Sequence, residues 1–325
     1  MIRAAIVGLG GWGQTMVSSV QGKSERIQFT AGVTRTVSKA ADFAKEKRFP
    51  LGDDYAQVLA NPAIDAVVLA TPHGQHAEQV IQAAAAGKPV LCEKPFTLDR
   101  KSAEAAVEAM EKAGQVLALG HNRRFLPGIV ELKNRIDDGR MGQIVHLEAN
   151  RSGGNGLGKG RGGWRADPHE SPAGGMTAVG VHWVDGMIHL CGPISSVYAI
   201  SLRQVTQSAL DDTTSMLFRF KAGMTGYLGT LTNSARTNRF EIFGSKAAAR
   251  FVQESKLSIR SVEGGKPEIF EHKGFDSVHA ELEAFADAIE GKRPFVVTPE
   301  QMIHGVAVLD AVVRSAKTGK TVTVS

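Results

Sequence analysis

The chain has 325 residues, of which 42% are hydrophobic and 22% charged, a composition typical of a globular protein with a sizeable core. The net charge is +5, but the Lys and Arg residues are dispersed and form no nucleic-acid-binding motif. No apolar run is long enough to span a membrane. We therefore expect neither nucleic acid nor a membrane as a partner.

The N-terminal part alternates short apolar runs with helical stretches, which is typical of a parallel sheet covered on both faces. The predicted strands are Ile2 to Val7, Ile27 to Val33, Ala66 to Ala70, Pro89 to Cys92 and Val116 to Leu119. The predicted helices are Trp12 to Gln21, Val37 to Lys47, Gln75 to Ala86 and Arg100 to Ala113. The N-terminus enters its strand without a secretion signal, and Cys92 and Cys191 lie in apolar contexts, so we expect a cytoplasmic protein with free thiols.

The pattern changes after about residue 122, where successive strand-like runs with short turns predominate between a few helices. Such runs predict a large, mostly antiparallel open sheet in an α+β domain. We therefore predict an α/β protein with a doubly wound Rossmann domain over residues 1–121 and a substrate-binding and oligomerisation domain over residues 122–325. An open sheet with a free face favours a homodimer or homotetramer through that sheet.

The stretch "IVGLGGWG" places the Gly8, Gly10 and Gly13 pattern between the first strand and the first helix. Glycines at this spacing allow a tight turn, a close approach of pyrophosphate and close packing of helix on strand. The loop residues Gly11 and Trp12 complete the predicted dinucleotide-binding set. A structural glycine turn is the alternative.

The second strand ends without the acidic residue that would accept the ribose hydroxyls of NAD. Thr34 and Arg35 stand there instead, and a hydroxyl with a guanidinium suits a 2′-phosphate. The sequence therefore favours NADP over NAD, with stacking of Arg35 on the adenine of either cofactor as the alternative.

The glycine-rich stretch from Gly153 to Gly163 contains a partial phosphate-loop match ending in Lys159. Gly160 follows in place of the Ser or Thr that binds magnesium, and no strand runs directly into the stretch, so we do not favour an NTPase. We predict a mobile loop that carries the cations Lys159 and Arg161 and closes over the active site.

The stretch "KPVLCEKPFTL" is a buried strand that ends in Glu93, Lys94 and Pro95. Charge at the carboxyl end of a parallel strand lies where ligands bind. An ammonium there can donate to a substrate oxygen and stabilise developing negative charge, so Lys94 is the candidate acid–base group. A capping ion pair is the alternative, and a cis Lys94–Pro95 bond is plausible.

With "VLCEKP", the motifs "ATPHGQHAEQ", "HNRRF" and "GGMTAVGVHWVD" resemble those of the glucose–fructose oxidoreductase, inositol dehydrogenase and MocA family over nearly the whole chain. The resemblance implies hydride exchange between a nicotinamide cofactor and a hydroxyl or carbonyl carbon of a sugar, polyol or cyclic diol. It implies Lys94 and His182 as catalytic and substrate-binding residues, and it places Lys94 at the nicotinamide end of the cofactor as well. It also implies positions near the cofactor or substrate at Thr71, Pro72, Glu93, Asn122, Arg123, Trp164 and Arg165.

Further histidines and one carboxylate accompany these motifs. Asp185 shares a helical face with His182 and would orient it and line the substrate site. His76 is placed in the cofactor-binding set, although packing at a helix N-terminus is equally plausible. The histidines are too scattered for a metal site, so we expect no metal.

Ala178 stands four residues before His182, where the family commonly carries aspartate. This departure supports the rival hypothesis of a non-catalytic NADP(H)-binding sensor or regulator. Retention of both Lys94 and His182 favours the enzyme.

Overall fold

A computed structural model of the chain describes residues 1–157 and 162–324. The chain divides into two compact units, residues 1–122 with 276–302, and residues 123–275 with 303–325. The sequence had assigned residues 122–325 to the second domain, whereas the structure places 276–302 with the first unit. Residues 276–302 join the first unit because they pack against residues far away in the sequence. No local sequence pattern predicts such packing.

The first unit contains a six-stranded parallel sheet in the order β3-β2-β1-β4-β5-β6. Its strands are β1 Ile2–Val7, β2 Ile27–Val33, β3 Leu51–Gly52, β4 Ala66–Leu69, β5 Val90–Glu93 and β6 Leu117–Gly120. Its helices are α1 Gly11–Val20, α2 Ala41–Lys47, α3 Tyr55–Ala60, α4 His76–Ala85, α5 Arg100–Lys112 and the late helix α8 Ser277–Ile289. This strand order reverses direction between β1 and β4, which is where doubly wound folds bind ligands.

The central strands of this sheet are buried on both faces. Every residue of β4 and β5 is buried, as expected of central parallel strands. Helix α8 packs against α1 and β2. Its Asp276 cap accepts hydrogen bonds from the backbone of Val278 and His279, and the ring of His279 hydrogen-bonds the Ser19 carbonyl at 2.8 Å.

The second unit contains a nine-stranded sheet in the order β14-β13-β12-β11-β7-β10-β9-β8-β15. Its strands are β7 Ile144–Ser152, β8 Ile194–Leu202, β9 Thr213–Phe220, β10 Thr225–Leu231, β11 Thr237–Gly244, β12 Ala247–Gln253, β13 Lys256–Ser261, β14 Glu268–Glu271 and β15 Val322–Thr323. The β7–β10 pair is parallel and the other pairs are antiparallel, which confirms the predicted mostly antiparallel sheet.

Three helices accompany this sheet, α6 Pro127–Asp137, α7 Val181–Cys191 and α9 Pro299–Thr318. They contribute to one hydrophobic core with the inward side chains of the strands, including Trp183 of α7 stacked on Phe240 of β11 at 4.7 Å between centroids. The strands alternate buried and exposed residues, as expected of a sheet with one covered face.

Both cysteines are free, as predicted. Burial raises the pKa of the Cys92 thiol well above its ordinary value and that of Cys191 to about 12, so neither is a reactive thiolate. Within residues 1–157 and 162–324, no helix is long and apolar enough to cross a membrane.

Candidate active site

The glycine turn after β1 is constrained by backbone contacts. Gly8 has φ +95°, and a Cβ there would lie 2.5 Å from the carbonyl oxygen of Ala70. A Cβ on Gly13 would lie 2.2 Å from the carbonyl oxygen of Gly8. Both positions therefore require glycine, as the pattern predicted.

Gly10 and Gly11 have a different environment. A Cβ at either position would have no atom within 4 Å in the described part of the chain. Gly10 precedes α1 and has no side chain to cap its amides, and the first turn carries no acidic residue. The N-terminus of α1 thus offers backbone N–H groups and a positive dipole end to an anion, which fits a pyrophosphate. Trp12 is half-buried in this turn.

Thr34 and Arg35 lie at the same edge of the sheet, because β2 runs parallel to β1 with Val33 in register with Val7. The Thr34 amide donates to the Gly52 carbonyl at 2.9 Å. Arg35 is exposed, so its guanidinium can reach a ligand at this edge.

The segment after β4 is anchored within the first unit. Thr71 is buried, and its hydroxyl donates to Oε1 of Gln79 at 2.6 Å. Pro72 is half-buried and precedes the short 3₁₀ turn that leads into α4.

The end of β5 carries the two charged residues Glu93 and Lys94. Glu93 is buried, and its Oε2 accepts a hydrogen bond from the Lys94 amide at 3.2 Å. A Cβ on Gly120 of the adjacent β6 would lie 2.7 Å from Glu93 Oε1, so the carboxylate packs closely on that strand. Lys94 is half-buried, and the Lys94–Pro95 bond is cis, as anticipated.

His76 bridges two backbone segments of the first unit. Its ring is fully buried, with Nε2 3.1 Å from the Thr71 carbonyl oxygen and Nδ1 2.9 Å from the Pro95 carbonyl oxygen. The imidazole thus joins the segment after β4 to the segment after β5. The ring therefore holds the Lys94–Pro95 turn in place, and a contact of His76 with the cofactor stays a prediction.

The boundary between the two units lies within the "HNRRF" segment, between Asn122 and Arg123. Asn122 belongs to the first unit, where its amide donates to the Ser277 hydroxyl at 2.8 Å. Arg123 belongs to the second unit and donates to Oε1 of Glu254 at 2.9 Å. Its guanidinium also lies over the Trp183 ring, 4.9 Å from the centroid.

His182 lies at the start of α7, directly after a π-helical turn over Met176–Gly180 that contains Ala178. Turns of this kind are frequent at functional sites. A Cβ on Gly180 would lie 2.7 Å from Met176 Sδ and 3.0 Å from Thr230 Cγ2, so close packing on β10 sets the path of the turn. His182 and Ala178 are both half-buried.

Asp185 forms a buried ion pair in α7. Its carboxylate receives two-pronged hydrogen bonds from Arg124, with Nη2 to Oδ1 at 2.7 Å and Nε to Oδ2 at 3.0 Å. The exposed fractions of the two side chains are 1% for Arg124 and 8% for Asp185. The buried guanidinium thus makes Asp185 an anchor of α7, and the substrate contact of Asp185 stays a prediction.

His189 completes this cluster one turn further along α7. Its Nδ1 lies 3.4 Å from Nη1 of Arg124. Burial lowers the pKa of His189 to about 4, and the positive charge of Arg124 acts in the same direction, against the opposing effect of Asp185. Sequence reasoning missed Arg124, whose signal was the second arginine of "HNRRF".

The remaining predicted residues lie in or beside the glycine-rich loop. Arg165 is exposed and lies over the half-buried Trp164 ring, 4.2 Å from the centroid. Lys159, Gly160 and Arg161, which carried the phosphate-loop and mobile-loop hypotheses, lie outside the described residues. No cluster of three or more metal-ligating His, Cys, Asp or Glu side chains occurs among those that are described.

The structure thus divides the predicted residues into two groups. The carboxyl edge of the parallel sheet in the first unit holds the glycine turn, Thr34, Arg35, Thr71 and Lys94. The second unit holds Arg123, Trp164, Arg165, His182 and Asp185.

Comparison with known proteins identifies two matching family models. Residues 2–121 match an oxidoreductase family described as an NAD-binding Rossmann fold, and residues 129–250 match the GFO/IDH/MocA C-terminal domain. The chain is similar to scyllo-inositol 2-dehydrogenase (NAD(+)) of Bacillus subtilis, with 27% identity over 93% of this chain and 91% of that protein. It is also similar to D-xylose 1-dehydrogenase (NADP(+)) 2 of Haloferax volcanii, with 26% identity over 98% of both chains.

Solved structures show the same fold. An oxidoreductase from Thermotoga maritima superposes with a TM-score of 0.88 at 27% identity, covering 99% of this chain and 98% of the other. Levoglucosan dehydrogenase in complex with NADH and levoglucosan superposes with a TM-score of 0.91 at 20% identity, covering 99% of each chain.

The depressed pKa of His189 gives a stability prediction. Between pH 6.5 and pH 4 the unfolded chain binds a proton at this residue that the folded chain excludes, because the folded pKa is about 4. The free energy of unfolding should therefore decrease as the pH is lowered from 6.5 to 4, by up to about 3 kcal/mol. Urea denaturation of wild type, His189→Leu and the exposed control His272→Leu at several pH values measures this. A pH dependence in His189→Leu equal to that of wild type would contradict the assignment.

Proposed function

This chain belongs to the Gfo/Idh/MocA oxidoreductase family, and we propose that it interconverts a hydroxyl and a carbonyl carbon of a sugar, polyol or cyclic diol with NADP(H). The observation that carries the proposal is Lys94 at the end of β5, on the sheet edge that also presents the glycine turn. Relatives named as inositol and xylose dehydrogenases support the substrate class.

The residues at this edge fit a dinucleotide. The N-terminus of α1 would hold the pyrophosphate, and Thr34 with Arg35 would hold the adenosine end. When bound, the nicotinamide supplies or accepts the hydride. The chain's own contribution is to place a proton donor and acceptor at the substrate oxygen.

We assign that proton transfer to Lys94 and His182. An ammonium on Lys94 donates to the carbonyl oxygen during reduction, and the neutral amine accepts the hydroxyl proton during oxidation. His76 and Glu93 hold the turn that carries Lys94, through the Pro95 carbonyl and the Lys94 amide. Arg124 and Asp185 hold the helix that carries His182.

Replacing Lys94 tests the proposed role directly. Lys94→Met removes the proton donor with little change of shape, so kcat on an accepted sugar or diol should fall by about 10²–10⁴-fold. NADPH affinity, measured by nucleotide fluorescence, should stay within about 3-fold of wild type. The exposed Lys101→Met on α5 is the matched control. The rival sensor function is supported instead if wild type binds NADPH but turns over no member of a sugar and diol panel.

The preference for NADP over NAD rests on Arg35 beside Thr34. A charge-assisted hydrogen bond to the 2′-phosphate would be lost in Arg35→Ala, which should weaken NADPH binding by about 10–100-fold. NADH binding should change by less than about 3-fold, because its ribose carries no phosphate. Exposed Lys39→Ala serves as the control for loss of a nearby positive charge. Equal losses for both nucleotides would show that Arg35 stacks on the adenine instead.

We also propose that the uncovered face of the nine-stranded sheet forms a homo-oligomer interface. This face exposes apolar side chains on adjacent strands, Leu217 of β9 at 56% and Ile200 of β8 at 47%. Cross-strand ion pairs flank them, including Arg239 to Glu148 at 2.9 Å. Exposed apolar surface of this kind is typical of interaction sites.

Introducing a charge into this face should dissociate the oligomer. Leu217→Asp would bury an unpaired carboxylate in the interface, which should shift the molar mass measured by light scattering towards that of the monomer. Val262→Asp, at a residue that is 66% exposed outside the strands, is the control. An unchanged mass for Leu217→Asp would show that this face is not the interface.

A further inference from the structure

A cluster of guanidinium groups lies in the second unit. Only its Arg123 was implied by the family resemblance, and the proposed proton transfer uses none of its members. The charges of Glu254 and Arg151 act on Arg123, and those of Glu254 and Arg236 act on Arg151. Among the described residues, this arrangement leaves more positive than negative charge. We call Arg123, Arg151, Arg236, Asn238 and Glu254 the arginine cluster.

The strand register places this cluster on the helix-covered face of the sheet. Arg151 of β7 is in register with Asn238 of β11. Arg151 follows the buried Leu147 and Ala149 at alternate positions, and Asn238 precedes the buried Phe240 in the same way. Trp183 of α7 stacks on Phe240 from above.

Direct contacts connect the cluster to the start of α7. Glu254 Oε1 accepts hydrogen bonds from Arg123 Nη2 at 2.9 Å and from Asn238 Nδ2 at 3.2 Å. The Arg123 guanidinium lies over Trp183, which follows His182 in the helix. Within one compact unit, the cluster therefore contacts the residue that follows the proposed catalytic histidine in α7.

Two hydrogen-bond donors of the cluster have no acceptor in the described part of the chain. Nη1 of Arg123 and Nη1 of Arg151 are shielded from solvent, and neither has a hydrogen-bond partner in the described part of the chain. The Trp183 side chain is 3% exposed, and its indole Nε1 likewise has no partner there. Burial lowers the pKa of both arginines against the opposing charge of Glu254, and the like charge of a neighbouring arginine lowers each further. Buried donors beside excess positive charge are costly unless an anion receives them.

We propose that the arginine cluster is an anion-binding subsite that recognises a carboxylate or a phosphate on the substrate. Arg151 and Arg123 would donate to the anion, while Glu254 and Asn238 hold Arg123 in place. The inference rests on the proposed function in taking His182 as the group beside the reacting carbon. It narrows the substrate class from neutral polyols to acidic or phosphorylated sugars.

Calorimetric titration of the NADPH-bound enzyme with D-glucose, D-glucuronate and D-glucose 6-phosphate tests the subsite. These probes differ only in the group at one carbon. We expect one anionic probe to bind at least about 10-fold more tightly than D-glucose, with a preference that decreases as salt is added. Tighter glucuronate identifies a carboxylate substrate, and tighter glucose 6-phosphate identifies a phosphate ester.

Neutral replacements locate the binding to the cluster. Arg151→Gln should weaken the preferred anionic probe by about 10–100-fold and D-glucose by less than about 3-fold. Arg236→Gln, at an exposed position, should produce a smaller loss of the same sign without affecting the core. Arg260→Gln, exposed on β13, is the control for overall charge.

The outcomes separate this inference from the proposed function. Equal affinity of all three probes, or an anion preference that survives in Arg151→Gln, would overturn the subsite. Turnover of a neutral sugar without anion preference would also overturn it and would leave the oxidoreductase function standing. Selective anion binding without turnover would support the subsite and count against the reaction.

Discussion

The first unit depends on the contact between the Gly8 turn and the backbone at Ala70. A Cβ on Gly8 would lie 2.5 Å from that carbonyl oxygen, so the end of β1 and the end of β4 are held at backbone distance. The approach places the N-terminus of α1 at the point where the strand order of the parallel sheet changes direction. The segments after β2, β4 and β5 then reach the same edge, because parallel strands share one direction.

Lys94 lies at this edge on a backbone that is fixed on both sides. Its strand is fully buried, which gives a rigid base, and its neighbour Glu93 is turned towards β6. The His76 ring fixes the following turn through the Pro95 carbonyl and reaches back to the Thr71 carbonyl. Two strand ends are thus joined by one buried imidazole, and the flexible lysine starts from a fixed backbone.

In the second unit, a buried ion pair holds the helix that carries His182. Arg124 and Asp185 are removed from water almost completely, and two-pronged hydrogen bonds offset part of the desolvation penalty. The pair fixes α7 in rotation, which sets the direction of His182 one turn earlier. The arginine cluster lies at the start of this helix with unused donors, so the same unit combines a balanced ion pair for support with unbalanced charge for a ligand.

The sequence by itself determined the alternating strands and helices of the first unit, the glycine turn, the strand that ends at Lys94 and the mostly antiparallel second sheet. These features are local, because periodicity and glycine placement act over a few residues. Only the tertiary structure decided that α8 belongs to the first unit and that Asp185 pairs with Arg124. It also decided that the His76 ring joins the segments after β4 and β5. It also decided that Arg123 and Arg151 share a cluster with Glu254. These contacts join residues far apart in the chain, and which side chains meet there depends on strand register and helix packing, which no short pattern contains.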